Sequence, residues 1–475
     1  MIGIYLIVTC IISGLLFFNR NSFINYLLIS IFLVLQCIFT VYEYDHLYSE
    51  ELNYFKADAL AVLLLITLSI ISIPAFYHSY VYISKNGDKP KERAIYFSAM
   101  VILIAAIGAA YLSSHIAVTW VFVELTTLSA SALIYHRRNE RTLEATWKYV
   151  FICAISITLV FIGILFFSIA MQEAGSSELS FDALLSKAPL LSPFWMKLAF
   201  LFVFTGFTAK LGLVPMYTAG IDAKDKAPSP AGALFSSVLM NVGFIGIFRT
   251  YVIIANSPLH TWANFVIMIA AFLSVFVATI YMMKVKNIKR MLAYSGIEHM
   301  GLVMLGIAAG GIGYYAAILH LILHAFVKSS LFFQVGQIYR IYQSKSIYDI
   351  GNYFKCNLTG AIVLLFAFIS ATAMPPSGLF VSEFMIFRSL FEAHYLLMLM
   401  IILFLLTMII WSFGKNIFKI LFLTPSGFKD SNFEKINPYE SISQFILLGL
   451  AVYLGVNPPQ EFVNLMQESV KVLPH

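Results

Sequence analysis

Residues 204–216 read Phe-Thr-Gly-Phe-Thr-Ala-Lys-Leu-Gly-Leu-Val-Pro-Met. Lys210 lies inside an apolar run that begins near Trp195, and Gly212 and Pro215 follow it closely. A lysine in the hydrocarbon core of a membrane costs roughly 3 kcal/mol on insertion scales. Helix-breaking residues beside it release backbone polar groups, which then need protein or water around them. The stretch therefore predicts a broken membrane helix built around a buried, functional lysine.

The composition indicates a membrane protein with many crossings. Of the 475 residues, 60% are hydrophobic and 11% are charged, and the mean hydropathy is +0.86. An ordinary soluble domain, in which about a quarter of the residues are charged, is thereby excluded. The cysteines lie far apart with no CxxC spacing, so we expect neither a metal site nor a cofactor in this chain. They are Cys10, Cys37, Cys153 and Cys356.

Windows of about 20 apolar residues predict about fourteen transmembrane helices, and hence an all-α polytopic fold. The predicted spans are 2–18, 23–43, 57–82, 93–112, 115–135, 145–171, 195–215, 228–254, 259–283, 292–309, 311–339, 357–391, 396–414 and 437–455. The twelfth span is too long for one crossing and contains Pro375-Pro376, which predicts a second broken helix after the seventh. Segments 179–188 and 459–472 are predicted as short amphipathic helices.

The charges of the loops predict the orientation. If the N-terminus faces outside, the inward loops hold most of the 30 Lys and Arg residues, as the positive-inside rule requires. Both termini are then expected outside a cell (cytoplasmic) membrane. The basic residues of the outward loops and tails are Lys56, Lys187, Lys197 and Lys471.

Glu124 lies in the predicted fifth helix with apolar residues on both sides. One interpretation is a carboxyl group that hydrogen-bonds to a serine or threonine near a helix end. The interpretation we favour is a counter-ion or proton donor for a basic group on a neighbouring helix. We expect that group to be Lys210.

The predicted eleventh helix carries His320, His324 and Lys328. The i, i+4, i+8 spacing places them on one face, over about 12 Å of the helix axis. Histidine both accepts and donates protons near neutral pH. A metal site formed by the two histidines is the alternative, but no acidic or cysteine ligand accompanies them. The pattern therefore favours proton carriers.

Glu383 follows the break at Pro375-Pro376, so an ionisable group accompanies each broken helix. Helices seven and twelve are an odd number of crossings apart and run in opposite directions. Paired interrupted helices of this kind are typical of transport sites at the membrane midplane. His299 either extends a proton relay or pairs locally with Glu298, and the loop 222–226 is either a proton entrance or a solvated turn. Tyrosines and methionines elsewhere are interpreted as packing residues.

Together these motifs resemble the antiporter-like membrane subunits of respiratory complex I, of cation/proton antiporter complexes and of group 4 membrane-bound nickel–iron hydrogenases. The resemblance covers roughly 57–455 and is strongest to the F subunit of the hydrogenase-4 type. It is carried by Trp120…Glu124, Lys210…Pro215, Asp222-Ala-Lys-Asp-Lys-Ala-Pro-Ser-Pro230, Lys289-Arg-Met-Leu-Ala-Tyr-Ser-Gly-Ile-Glu-His299, His320…His324-Ala-Phe-Val-Lys328 and Pro375-Pro-Ser-Gly-Leu-Phe-Val-Ser-Glu383.

The resemblance implies two inverted five-helix units, helices 4–8 and 9–13. It divides the chain into three N-terminal helices (1–83), a first unit (84–256), a second unit (257–415) and a last helix with its tail (416–475). It also implies a proton relay, whose expected members are Glu124, Lys210, His320, His324, Lys328 and Glu383.

The implied function is proton translocation by a non-redox subunit of a redox-driven membrane complex. Its partners would be other membrane-arm subunits in the lipid bilayer and a peripheral redox arm, with iron–sulfur clusters and a nickel–iron centre or quinone; no nucleic acid is implied. The alternatives are a subunit of a Na⁺/H⁺ antiporter complex and a stand-alone secondary transporter. A passive scaffold is a further alternative, because Asn241 stands where many relatives have lysine or histidine. Lys224 likewise replaces the usual loop histidine.

The predicted orientation can be tested with an impermeant thiol reagent. A cysteine introduced into the 44–55 loop should react from outside, because that loop is expected to face outward. A cysteine introduced at 86–90 should react only after the membrane is opened. The reverse pattern would overturn the orientation.

Overall fold

The computed structural model describes residues 1–424 and 434–474, and these residues are almost entirely helical. The helices are α1 (Ile2–Phe18), α2 (Ser22–Asp45), α3 (Ala59–Asn86), α4 (Pro90–Leu112), α5 (Ile116–Ile134), α6 (Glu140–Glu173), α7 (Phe181–Lys187), α8 (Pro193–Leu211), α9 (Thr218–Lys226), α10 (Ser229–Phe235), α11 (Val238–Ala255), α12 (His260–Lys284), α13 (Ile288–Ala309), α14 (Ile312–Tyr342), α15 (Tyr353–Cys356), α16 (Leu358–Ala371), α17 (Gly378–Glu392), α18 (Leu396–Phe422), α19 (Ile442–Val456) and α20 (Gln460–Val470). A two-stranded antiparallel hairpin, β1 (Glu50–Glu51) and β2 (Phe55–Lys56), joins α2 to α3.

Within the described residues, twelve helical spans are long and apolar enough to cross a membrane. The helices α1 and α16 are shorter apolar helices. The predicted crossing segments fall on these spans, and the all-α polytopic fold is confirmed. The predicted amphipathic segments at 179–188 and 459–472 are the helices α7 and α20.

The first predicted break lies between α8 and α9. Gly212 ends α8 with a left-handed φ of 86°, which glycine adopts at no steric cost. Its N–H donates to the carbonyl of Thr208 at 2.8 Å, so one free carbonyl of the helix end is satisfied. The Val214–Pro215 peptide that follows is cis. The helix α8 therefore ends one residue after Lys210.

The second predicted break lies between α16 and α17. The Pro375–Pro376 peptide there is cis. The hydroxyl oxygen of Ser377 accepts a hydrogen bond from the N–H of Phe380 at 3.2 Å and caps the start of α17. Glu383 lies one turn further along, so both interruptions adjoin an ionisable side chain.

One predicted boundary is wrong. The helix predicted over 396–414 continues to Phe422, because the buried Ile417, Ile420 and Leu421 extend its apolar face. The predicted segment 228–254 falls on the apolar span Ser229–Ala255, in which Ser236 and Ser237 form a turn between α10 and α11. Residues 425–433, in the predicted tail 416–475, lie outside the described part of the chain.

The contacts divide the chain into two compact units. Unit 1 comprises Met1–Ala227, Val238–Val266 and the residues from Glu461 onward, and unit 2 comprises Pro228–Ser237 and Ile267–Gln460. The domain boundaries expected at residues 83, 256 and 415 stay a prediction.

In unit 1, α6 and α8 pack with their backbones in contact. A Cβ atom added at Gly206 of α8 would lie 2.5 Å from the carbonyl oxygen of Ser156, and one added at Gly163 of α6 would lie 2.5 Å from the side chain of Val203. The hydroxyl of Ser156 donates to the carbonyl of Gly206 at 2.5 Å. Small residues give membrane helices this close approach.

Replacement of Gly206 by alanine should destabilise the protein, because overpacking of a filled interface costs typically about 1–3 kcal/mol. The matched control is Gly449→Ala, since no atom lies within 4 Å of a Cβ at that position. Thermal unfolding of the purified protein in detergent measures both variants. Equal midpoints for the two variants would contradict the packing described.

Candidate functional site

The ammonium of Lys210 is held by hydroxyl groups from two neighbouring helices. Lys210 lies at the end of α8, and its side chain is 8% exposed. Its Nζ donates to Thr127 Oγ1 of α5 at 2.9 Å and to the Tyr149 hydroxyl of α6 at 3.0 Å. The same ammonium is 5.2 Å from the centroid of the Tyr149 ring. Three helices therefore meet at this charge.

Glu124 lies three residues before Thr127 on α5, one helical turn away on the same side. Its Oε2 is buried and has no hydrogen-bond partner among the described residues. In the described structure Lys210 bonds to the two hydroxyls and not to the Glu124 carboxylate. No direct hydrogen bond or ion pair joins the two residues in this arrangement, although the Glu124 carboxylate interacts electrostatically with Lys210, so the exchange between them stays a prediction. Glu124, Thr127, Tyr149 and Lys210 form what we call the lysine cluster.

The helix α11 packs against the break that follows Lys210. A Cβ atom added at Gly243 would lie 2.4 Å from the backbone nitrogen of Leu211. Asn241, two residues earlier, is fully buried, and neither of its amide atoms has a hydrogen-bond partner in the part of the chain described. A neutral amide does not titrate, so this position cannot itself store a proton.

The predicted loop 222–226 forms the second half of the helix α9. Part of it is buried. Lys224 is 5% exposed and Asp225 is 1% exposed. The Nζ of Lys224 donates to the sulfur of Met240 on α11 at 3.2 Å, and a thioether is a weak acceptor. The Asp225 carboxylate pairs with Lys226 at 2.8 Å. The interpretation of this loop as a solvated turn is therefore wrong for Lys224 and Asp225.

In unit 2, the side chains of three histidines and a serine, carried by α13, α14 and α17, lie in contact with one another. His299 Nδ1 of α13 is 3.0 Å from His320 Nε2 of α14, and His320 Nδ1 is 3.0 Å from Ser382 Oγ of α17. The ring of His324 lies 5.0 Å, centroid to centroid, from that of His299. All three histidines are buried. The imidazole pair at 3.0 Å can share one proton.

Lys328 follows His320 and His324 on α14 at the same spacing of four residues. Its Nζ donates to Ser295 Oγ at 2.7 Å and to the carbonyl of Leu292 at 3.3 Å, both on α13. His320, His324 and Lys328 therefore all meet α13, and the expectation that they share one helix face is confirmed.

The carboxyl groups of Glu298 and Glu383 lie near these histidines and Lys328. Glu298 Oε2 is 3.6 Å from His299 Nε2, and the Glu298 carboxyl interacts electrostatically with Glu383 and Lys328. Glu383 is 8% exposed. His299 therefore contacts both His320 and Glu298, and its part in a proton relay stays a prediction. Glu298, His299, His320, His324, Lys328, Ser382 and Glu383 form what we call the histidine cluster.

The sequence did not indicate the hydroxyl groups of either cluster. Thr127 follows Glu124 by one turn and Ser382 adjoins Glu383, so their spacing was a usable signal. Tyr149 was interpreted as a packing residue, which is wrong. A tyrosine inside an apolar run needs a partner for its hydroxyl, and that requirement was the signal available. Among the described residues no group of three or more metal-ligating side chains is placed to hold an ion.

The chain is similar in sequence to proteins of known complexes. The chain is 28% identical over 353 residues to the hydrogenase-4 component F homolog of Methylacidiphilum infernorum, covering 73% of this chain and 74% of that protein. It is 24% identical over 499 residues to NADH-quinone oxidoreductase subunit M of Rickettsia prowazekii, covering 99% and 98% of the two chains.

The fold matches those of solved membrane complexes. The TM-score is 0.86 to a chain of the archaeal membrane-bound sulfane sulfur reductase, with 20% identity and coverage of 99% of this chain and 96% of that one. The TM-score is 0.82 to a chain of respiratory complex I from Thermus thermophilus, with 18% identity and full coverage of both chains. The family model described as "NADH:quinone oxidoreductase/Mrp antiporter, TM" matches residues 113–409. The chain belongs to this family of antiporter-like membrane subunits.

Proposed function

We propose that this protein moves protons across the membrane as a subunit of a multisubunit redox-driven complex. The observation that carries the proposal is that ionisable side chains are buried beside both helix breaks. Lys210 contacts two hydroxyls, and Ser382, the neighbour of Glu383, contacts the imidazole of His320. Buried ionisable groups are costly inside a membrane and mark ion pathways. The named relatives include a hydrogenase component and a subunit of NADH-quinone oxidoreductase, which supports a redox partner.

In unit 1, the proposed event is an exchange of partners at Lys210. The structure has the ammonium on Thr127 and Tyr149, while Glu124 Oε2 lies buried without a partner nearby. When the ammonium moves to the carboxylate, the pair stabilises its charged form. When it returns to the neutral hydroxyls, that stabilisation is lost and the proton can leave. Asn241 does not titrate, so water would have to carry the proton past it.

In unit 2, the proposed event is proton transfer along the histidine cluster. Each imidazole accepts a proton on one nitrogen and donates from the other. Ser382 and His299 contact opposite nitrogens of His320, so that ring can relay a proton between them. Transfer from Lys210 to His324, and release to the outside through Glu383, belong to the same proposal.

Proton pumping needs an energy source that this chain does not itself provide. One charge crossing 100 mV costs about 2.3 kcal/mol. We therefore place redox chemistry in partner subunits, which would carry iron–sulfur clusters and a nickel–iron centre or quinone. Blue-native electrophoresis with mass spectrometry tests this placement. Hydrogenase or quinone-reductase subunits in the same band support it, whereas a monomer would favour a stand-alone transporter.

The variant Lys210→Ala should abolish proton pumping measured in membrane vesicles of the complex. Lys210→Arg should retain little activity, because arginine keeps its proton at working pH. Lys197→Ala is the matched control, since it removes an exposed lysine from the same helix. Full pumping by Lys210→Ala in an assembled complex would remove this residue from the mechanism.

The variant Glu124→Gln should stop pumping while the complex still assembles, because Lys210 then has no carboxylate to exchange with. In the proposed exchanged state the two residues form a buried ion pair, and loss of one partner of such a pair costs about 3–5 kcal/mol. The double variant Glu124→Gln with Lys210→Met should therefore assemble no worse than the worse single variant. Assembly is measured by blue-native electrophoresis. Additive assembly defects, or normal pumping by Glu124→Gln, would show that the two residues do not work as a pair.

A further inference from the structure

Two arginines meet in unit 1 where α1 ends and where α2 and α4 begin. Arg20 lies in the short loop between α1 and α2, and Arg93 lies in the first turn of α4. Arg93 Nη2 donates to the carbonyl of Arg20 at 2.8 Å, and Arg20 Nη1 donates to the carbonyl of Phe17 at 2.9 Å. Neither arginine forms an ion pair with a carboxylate among the described residues. Their two positive charges therefore have no counter-ion in the described part of the chain.

Asn25, in the first turn of α2, is linked to the same loop. Its side chain is fully buried, and its Oδ1 accepts a hydrogen bond from Asn19 Nδ2 at 2.7 Å. The next residue, Tyr26, interacts electrostatically with Arg93, and its ring lies 6.1 Å from that of Phe97 on α4. The start of α2 therefore packs against the start of α4.

Two of the donors in this region are buried without an acceptor. Asn25 Nδ2 and Arg93 Nε have no hydrogen-bond partner among the described residues. The acceptors nearby already hold other donors, since Asn25 Oδ1 and the carbonyls of Phe17 and Arg20 accept the bonds given above. Buried donors of this kind require an acceptor from outside the chain. An anion supplies one and also compensates the arginine charges, whereas a water molecule would add two donors of its own.

The surface beside these donors is apolar. Phe18 is 78% exposed and Phe23 is 75% exposed, and the two residues flank the loop that carries Arg20. The loop joins two apolar helices, of which α2 is long enough to cross a membrane. Exposed rings and a basic loop at the end of such helices are typical of the boundary between acyl chains and headgroups. The anion that reaches this place most directly is therefore the phosphate of a membrane lipid.

The charge of the region favours an anionic lipid over a zwitterionic one. A zwitterionic headgroup carries an ammonium, which needs a carboxylate or another acceptor. Glu92 precedes Arg93 in the chain, but it makes no hydrogen bond or ion pair among the described residues. The planar guanidinium of arginine matches the geometry of phosphate oxygens, and basic pockets between membrane helices bind anionic headgroups.

We propose that a site for the phosphate group of an anionic membrane lipid is formed by Asn19, Arg20, Asn25 and Arg93. We call these four residues the donor cluster. Arg93 and Asn25 donate to the phosphate oxygens, Arg20 supplies a second positive charge, and Asn19 orients the Asn25 amide. The acyl chains lie against the two exposed phenylalanine rings. The site is separate from the lysine and histidine clusters and does not depend on the proposed proton transfer.

Lipid binding is measured by native mass spectrometry of the purified chain in detergent. The probes are dioleoylphosphatidylglycerol, dioleoylphosphatidylethanolamine and inorganic phosphate, each titrated separately. The first phosphatidylglycerol should bind at least about tenfold more tightly than the first phosphatidylethanolamine, because charge-assisted hydrogen bonds are the stronger ones. Inorganic phosphate should bind more weakly still, because it has no acyl chains to bury.

Three variants separate a built site from general attraction between charges. Arg93→Gln should raise the dissociation constant for phosphatidylglycerol at least about tenfold, because it removes a charge-assisted donor. Lys91→Gln is the matched control, since it removes the same charge from an exposed position on α4, and it should change the constant less than about threefold. Asn25→Ala keeps every charge and should raise the constant at least about threefold, because a buried donor to the anion is lost.

Equal constants for Arg93→Gln and Lys91→Gln would overturn the site. An unchanged constant in Asn25→Ala would do the same, because attraction would then depend on charge alone. Equal binding of phosphatidylethanolamine would rule out an anionic lipid, and equally tight binding of inorganic phosphate would replace the lipid by a soluble anion. If thermal unfolding shows that Arg93→Gln is not folded, Arg93→Lys takes its place. It keeps the charge without the Nε donor, so a constant equal to that of the parent would likewise overturn the site.

Discussion

The structure depends on how buried charge is accommodated inside a membrane. The Lys210 ammonium is held by two neutral hydroxyls rather than by a carboxylate. Full neutralisation by an ion pair would hold the proton firmly, and complete isolation would prevent protonation altogether. Hydroxyl ligands lie between these limits, because they satisfy the N–H groups without cancelling the charge. The helix break after Lys210 and the close glycine contacts around it hold the ammonium beside these two hydroxyls.

Unit 2 also holds a buried lysine, Lys328, on neutral oxygen atoms, but imidazoles lie beside it. There the lysine contacts a serine hydroxyl and a backbone carbonyl, and imidazoles provide the connected path. The two units thus share hydroxyl-bound lysines, but only unit 2 contains adjacent titrating rings among its described residues. In unit 1 the corresponding central position is Asn241. Under the proposed function, this difference assigns any stepwise transfer between side chains to the histidines and makes the lysine cluster a site of partner exchange.

Much of the fold followed from the sequence, because membrane helices must be long and apolar and because Gly212-Leu-Val-Pro and Pro-Pro-Ser-Gly cannot continue a helix. The sequence also predicted the ionisable residues and the common face of His320, His324 and Lys328, since these depend on burial cost and helical period. It did not predict the partners of Lys210. A hydroxyl on a distant segment, such as Tyr149, becomes a ligand only through packing. The turn at Ser236 and Ser237, inside the predicted span 228–254, was not predicted either.

The backbone contact between α6 and α8 has a consequence for the speed of the chemistry. Gly206 lies one helical turn before Lys210 and touches the backbone of Ser156 on the helix that carries Tyr149. These helices cannot approach further, and their small-residue contact resists separation. The lysine can then leave the tyrosine hydroxyl only by rotation about its own side-chain bonds. Rotamer changes take picoseconds to nanoseconds when unhindered, whereas collective helix motions take microseconds to milliseconds. If partner exchange occurs as proposed, we therefore expect it to be limited by the electrostatic cost of moving the charge and not by movement of the helices.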